Sequence, residues 1–288
     1  MLTRLPLAIP FLFPVILIHG FSDVPALSGS WKLVEKFLSE MGVEYFTPQI
    51  PPYGGIEERS MVLIRQIAAR YCGQTVHLFG HSMGGINARD IASRAMTFNL
   101  GFRIQTVTTF GTPHRGVKMI NFAPSMPDAL GQTLGAIIGT DFRAFGNLTH
   151  WYMSNYNRQI ENNPSVRYFS WAGFTEIPTL LFAPVHPSSR LFGQTDGLVN
   201  TSSAVWDNDL GPGTHLGTVE GLDHVATISV MTASATIPHL KAAQTGEIAP
   251  VMPIQNNLIL ASTRRVEAAT NAALAPTRAM LGIFGLGF

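Results

Sequence analysis

The stretch Gly80-His81-Ser82-Met83-Gly84 stands between an apolar run and a helical one, and that setting constrains the fold more than anything else in the chain. Thr75-Val76-His77-Leu78-Phe79 before it is apolar enough for a buried strand. Ile86 to Ala95 after it reads as a helix, with Ile86, Ala88, Ile91, Ala92 and Ala95 as its apolar members. A serine at such a strand-to-helix corner sits on a sharp turn with its hydroxyl presented outward. The flanking glycines are needed because any side chain there meets neighbouring backbone. The helix N-terminus behind the serine favours negative charge developing near it. Ser82 is therefore the candidate nucleophile. The G-x-S-x-G pattern alone is weak, and the strand and helix around it give it weight.

Other segments repeat the strand–helix rhythm. Val15-Ile16-Leu17-Ile18, ending at His19-Gly20, reads as a central parallel strand. Trp31 to Met41 reads as a helix, Val43 to Phe46 as a strand, and Ile56 to Tyr71 as a long helix with Ile56, Leu63, Ile64, Ile67 and Tyr71 on one side. Strands follow at Ile104 to Phe110, Val166 to Trp171 and Leu216 to Glu220. This alternation predicts a mostly parallel central sheet with helices on both faces. Loops that carry function then gather at the carboxyl ends of the strands, where His19, Ser82 and Gly111 all fall.

Between Val117 and Pro164 the strand rhythm stops. Residues 117–165 are rich in Met, Ile, Leu and Phe, with few charges, and read as an apolar helical lid or cap inserted on the active side. The tail 241–288 reads as a helical extension, with a helix around Asn257 to Ala273 and an apolar end at Ile283 to Phe288. The whole chain, 1–288, is read as one domain, large enough to be stable without disulfide staples.

Composition narrows the partners. A net charge of +1 gives no reason to invoke nucleic acid. Charged residues make up 13%, about half the usual share, so either the core is large or apolar surface faces a lipid, a partner or an apolar ligand. The single cysteine, Cys72, excludes an intrachain disulfide and a cysteine-based metal site, and reads as a buried, inert thiol. Leu5 to Phe13 is apolar after Arg4, but Pro6, Pro10 and Pro14 break it and no A-x-A site precedes Val15, so no cleavable leader is expected. No apolar run is long enough to span a bilayer as a helix. Secreted and cytoplasmic locations both stay open, as does the oligomeric state.

A serine nucleophile needs a base, and the base an orienting carboxylate. With the serine on a strand-to-helix corner, the expected chain order is nucleophile, acid, histidine. Asp196, in Gln194-Thr195-Asp196-Gly197-Leu198-Val199, sits in a glycine-containing turn after the Val166 strand and is the candidate acid. Asp207 and Asp209 are rivals in what reads as a solvated loop. His224 follows the last predicted strand and is the candidate base. His215 precedes that strand, His239 follows the next helix, and His186 comes before the acid. Asp223 reads as local structure. Two backbone N–H groups are candidate oxyanion donors: that of Met83, next after the nucleophile, and that of Phe21, which Gly20 allows to turn inward after the first strand.

Taken together, His19-Gly20-Phe21, Gly80-His81-Ser82-Met83-Gly84-Gly85, Gly111-Thr112-Pro113-His114-Arg115-Gly116 and Asp196-Gly197-Leu198-Val199 resemble, in this order, the bacterial triacylglycerol lipases of the Pseudomonas and Burkholderia type. The segments Leu148-Thr149 through Tyr156-Asn157 and Val166-Arg167-Tyr168-Phe169-Ser170 add to the resemblance, which covers roughly residues 15–230. It implies an α/β-hydrolase fold with a lid, acting on long-chain esters, with Ser82, Asp196 and His224 as triad. Those lipases hold calcium through an aspartate two residues after the catalytic histidine; that position here is Ala226, so no metal is expected. The sequence thus predicts a serine ester hydrolase without cofactor, acting on an acyl ester or lipid, with a lipid–water interface as one setting. A short-chain carboxylesterase, an acyltransferase and a non-catalytic lipid- or partner-binding module are the rivals.

Overall fold

The computed structural model describes residues 11–21, 31–120, 142–179 and 182–251, with side chains for all of these except 142–144. Six strands make one sheet: β1 (Val15–Ile18), β2 (Tyr45–Phe46), β3 (Thr75–His81), β4 (Arg103–Phe110), β5 (Arg167–Phe174) and β6 (Thr214–Glu220). Their spatial order is β2-β1-β3-β4-β5-β6, and every described pairing is parallel. The helices used below are α1 (Lys32–Glu40), α2 (Ile56–Tyr71), α3 (Met83–Arg94), α4 (Phe142–Asn147), α5 (His150–Gln159), α6 (His186–Arg190), α7 (Thr201–Ala204) and α8 (Val230–Thr245).

Why the strands read as unbroken apolar runs is visible in the packing. Successive side chains point to opposite faces, and both faces are covered. Val15 and Leu17 pack with Val34 and Leu38 of α1 and Ile237 and Leu240 of α8. Ile16 and Ile18 pack on the other side with Leu63 and Ile67 of α2 and Ala88 and Ile91 of α3. The result is the parallel sheet with helices on both faces expected from the alternation, in the α/β-hydrolase arrangement that the resemblance implies.

The chain first adds β2 outside β1, then crosses back to lay β3 on β1's other side. The carboxyl ends of β1 and β3 are thus neighbours at the point where strand order reverses, with Ile18 level with Gly80. Ligand sites of open parallel sheets form at such points. That reversal brings His19-Gly20-Phe21 beside Ser82.

Several expectations shift. The helix after the corner starts at Met83 rather than Ile86. Gly84 and Gly85 lie within it, and each backs onto a neighbour with no room for a side chain: a Cβ on Gly84 comes 2.3 Å from the Ile18 carbonyl oxygen, and one on Gly85 2.0 Å from Thr112 Oγ1. His215 lies inside β6, where its Nδ1 is 2.9 Å from Ser170 Oγ of the adjacent strand. His239 lies within α8, which runs unbroken through Lys241 to Thr245 and ends on a left-handed Gly246. Cys72 is exposed, because it follows the last residue of α2 on the surface turn at Gly73. In the insertion, α4 and α5 are helical. Residues 121–141, and the expected helix and apolar end after 251, lie outside the described residues.

Candidate active site

Ser82 has φ 52° and ψ −128°, the one positive φ among described residues other than glycine. Such backbone costs about 1–3 kcal/mol and persists only where its surroundings enforce it. Here they do: the Ser82 N–H donates to Phe110 O at 2.9 Å, and β3 is locked between β1 and β4. The turn lifts the hydroxyl off the sheet at the N-terminus of α3.

Ser82 Oγ lies 2.9 Å from His224 Nε2, and His224 Nδ1 lies 2.8 Å from Asp196 Oδ2. A carboxylate only accepts, so Nδ1 carries the proton and Nε2 presents its lone pair to the serine O–H. All three side chains are buried. The loop between β6 and α8 carries His224, and the turn from Thr195 to Asn200, closed by a bridge between those two residues, carries Asp196. The second carboxylate oxygen of Asp196 accepts from the N–H groups of Leu198 at 3.0 Å and Val199 at 2.7 Å, which fixes the plane it offers to the imidazole. The Asp196 carbonyl also accepts the His224 N–H at 2.8 Å. Asp196 and His224 are therefore joined through backbone as well as side chain.

The expected oxyanion donors flank the serine. Met83 is the first residue of α3, so its N–H has no acceptor within the helix. The loop after β1 presses on the corner, since a Cβ on Gly20 comes 2.8 Å from Ser82 Cβ. Phe21 comes next and lines the same cavity as Ser82 and His224.

What holds that loop is a residue that the sequence reading passed over. Arg59 is fully buried on α2. Its Nη2 donates to the carbonyls of His19 at 2.6 Å and Gly20 at 3.0 Å, Nη1 to Pro51 O at 2.7 Å, and Nε to Asn87 Oδ1 at 2.9 Å on α3. Burial pushes its pKa down to about 9, with the nearby Glu58 carboxylate working against that, so it keeps its charge at neutral pH. The signal was there: Arg59 lies one turn from Ile56 and one from Leu63, a charge on the apolar stripe of its helix.

The rival residues stand elsewhere. The side chain of Asp207 pairs with Arg115 at the surface, and His186 Nε2 lies 2.9 Å from Thr175 O. Asp223 is buried, and its carboxylate accepts the N–H groups of Thr179 at 3.1 Å and Ala226 at 3.0 Å. Burial pushes its pKa up. With Asp196 and Asp223 so engaged and only a methyl at position 226, these residues do not fit a calcium ion. Among the described residues no three His, Cys, Asp or Glu side chains cluster as metal ligands.

Besides Phe21, the cavity over Ser82 is walled by Pro113, Val117, Ile120, Phe145, Leu148 and Leu198. Its volume of about 30 Å³ admits little more than water-sized groups. Val117, Ile120, Phe145 and Leu148 all come from the insertion. Its two arms are joined by the Val117 N–H, which donates to Leu148 O at 2.8 Å, and its far arm is tied to the stretch after β4 by Asn157 Nδ2, which donates to His114 O at 2.8 Å.

Fold and corner together make the chain an α/β-hydrolase in architecture. In sequence it is similar to triacylglycerol lipases. It is 29% identical over 213 residues to triacylglycerol lipase 2 of Saccharomyces cerevisiae, covering 69% of this chain and 62% of that one. To the triacylglycerol lipase of Pseudomonas fragi it is 26% identical over 274 residues, covering 76% and 88%. The chain thus spans less than two thirds of the yeast relative. The solved structure of mature Bacillus licheniformis lipase BlEst2 superposes with a TM-score of 0.66 at 22% identity, covering 80% of this chain and 93% of that one. No family model matches the chain.

Proposed function

We propose that this chain is a serine ester hydrolase that cleaves lipid carboxylic esters through an acyl-enzyme. The observation that carries the reading is the unbroken path Ser82 Oγ–His224 Nε2, 2.9 Å, and His224 Nδ1–Asp196 Oδ2, 2.8 Å, on a strained strand-to-helix corner. His224 takes the Ser82 proton as Oγ attacks the ester carbonyl carbon, and Asp196 holds the imidazole and stabilises its charge. The N–H groups of Phe21 and Met83 receive the oxyanion. As the intermediate collapses, His224 gives the proton to the leaving alcohol oxygen. Water, activated by the same histidine, then frees the acid. The relatives' names support an acyl lipid as substrate, and so does the largely apolar wall over Ser82.

The insertion acts as a lid. The cavity over Ser82 is too small for an ester, and most of its outer wall belongs to 117–165, so substrate enters when Phe145 and Leu148 swing away. A short-chain carboxylesterase with a fixed cap is the second reading, favoured by the same small volume. Initial rates on butyrate and palmitate esters, below and above their solubility limits, beside Ser82→Ala, test both. A rate that rises at the emulsion and prefers palmitate supports the lipase; saturable kinetics on butyrate with no rise make it the esterase. Ser82→Ala loses on the order of 10⁴-fold or more in kcat, and a retained rate refutes the mechanism.

A further inference from the structure

His81 closes β3 one residue ahead of Ser82 and takes no part in the steps above. It is buried, and its Nε2 lies 2.8 Å from the backbone oxygen of His224. A carbonyl only accepts, so Nε2 carries the hydrogen and donates it. Burial first, and then the neighbouring His224, keep the pKa of His81 well below 6.5, so the ring stays neutral at neutral pH. That matters because the two ring centroids are 4.9 Å apart. A cation on His81 would oppose the imidazolium that forms on His224 during turnover.

The His224 carbonyl accepts a second hydrogen bond, from Thr227 Oγ1 at 2.8 Å, while the His224 N–H donates to Asp196 O at 2.8 Å. Asp196 thus ties both the imidazole and the backbone of His224 to its own turn. A different group must tie that backbone to the strand that carries the nucleophile. The strand that carries Ser82 supplies that group from the adjacent residue.

We propose that His81 is a positioning residue, whose Nε2–H holds the His224 carbonyl and so sets the distance from the base to the serine beside it in sequence. The proposal rests on the ester-hydrolase reading above. A misplacement of the base approaching 1 Å costs up to about a hundredfold in rate, and it falls on the chemical step rather than on substrate binding.

The test compares wild type, His81→Leu and His81→Gln on p-nitrophenyl butyrate, reading kcat and KM separately. Glutamine can place an N–H donor where Nε2 stands; leucine cannot. The expected result is a fall in kcat of about tenfold to a hundredfold for His81→Leu, with KM changed less than about twofold, and most of the loss recovered in His81→Gln. Labelling of Ser82 by an active-site phosphonate slows in parallel. A wild-type kcat in His81→Leu overturns the proposal, as does a glutamine variant no better than leucine. If His81→Leu fails to fold, Thr227→Val removes the other donor to the same oxygen and must lower kcat with KM held; an unchanged kcat there overturns the proposal. Should wild type and Ser82→Ala hydrolyse the ester equally, the ester-hydrolase reading fails instead, and the two failures are distinct.

Discussion

Replacing Gly111 with alanine tests how tight the space behind Asp196 and His224 is. Gly111 follows β4 with φ +54°, and a Cβ there falls 2.8 Å from Thr227 Oγ1, 3.2 Å from Asp196 Oδ2 and 3.4 Å from His224 Nδ1. The left-handed backbone alone costs an alanine about 1–2 kcal/mol. The 2.8 Å contact forces Thr227 aside and disturbs its hydrogen bond to His224 O, worth about 1 kcal/mol more. Asp196 must give by a few tenths of an ångström and takes the imidazole with it. Gly42 supplies the control, for its φ is +67° and a Cβ there meets nothing within 4 Å. Gly42→Ala should lose about 1–2 kcal/mol and keep full activity. Gly111→Ala should lose about 2–3 kcal/mol, a further melting shift of about 2–4 °C per kcal/mol, and about tenfold to a hundredfold in kcat/KM. Thermal melts and p-nitrophenyl butyrate kinetics on both variants decide it. Equal activity in the two variants would refute the argument.

Three further outcomes follow from the geometry. Ser82→Gly should be more stable than Ser82→Ala by roughly 1 kcal/mol, the reverse of the usual order, because glycine alone relieves φ 52°; chemical denaturation of the two inactive variants measures it. Arg59→Met should cut kcat/KM by about tenfold or more, since the His19 and Gly20 carbonyls lose their donor and the Phe21 loop loosens, and it should destabilise by about 2–4 kcal/mol. His77 supplies a pH test. Burial pushes its pKa from 6.5 down to about 3. With the folded value depressed, the unfolded chain binds the proton first, so the contribution is whole above about 6.5 and drains away as pH falls toward 3. Moving from pH 7 to pH 5 should cost about 2 kcal/mol through this group alone. In His77→Gln that part of the slope should vanish from denaturation curves, and an unchanged slope would contradict the assignment.

The parts of the site that were legible in sequence share one property: their signal is local. Ser82 stood out through the strand and helix beside it, and Asp196 through its glycine turn. His224 was picked from four candidate histidines by its place after the last strand, and the fold puts it beside Ser82. Arg59 was missed because its only local mark is a charge on an apolar helix stripe, while the loop carbonyls it holds are 39 and 40 residues away and leave no mark on composition. The link from His81 to His224 spans 143 residues, and its acceptor is likewise a carbonyl. Helix and strand limits moved where packing overrode propensity, at Gly84 and Gly85 above all. Cys72 failed as a buried thiol for a plain reason: residue type predicts burial only on average, and this one sits where a helix has ended.

The corner at Ser82 is complete only when three distant stretches of chain have met. Ser82 and His224 are 142 residues apart, and His224 and Asp196 are 28. The contact of 142 residues' separation needs the largest loop to close, so it forms slowly and late. On refolding, the pairing of β3 with β4, Thr75 opposite Arg103, closes a far shorter loop and regains its spectroscopic signal first. On the proposed mechanism, ester turnover returns only when the loop after β6 arrives, and hydrolysis then reports that folding has finished.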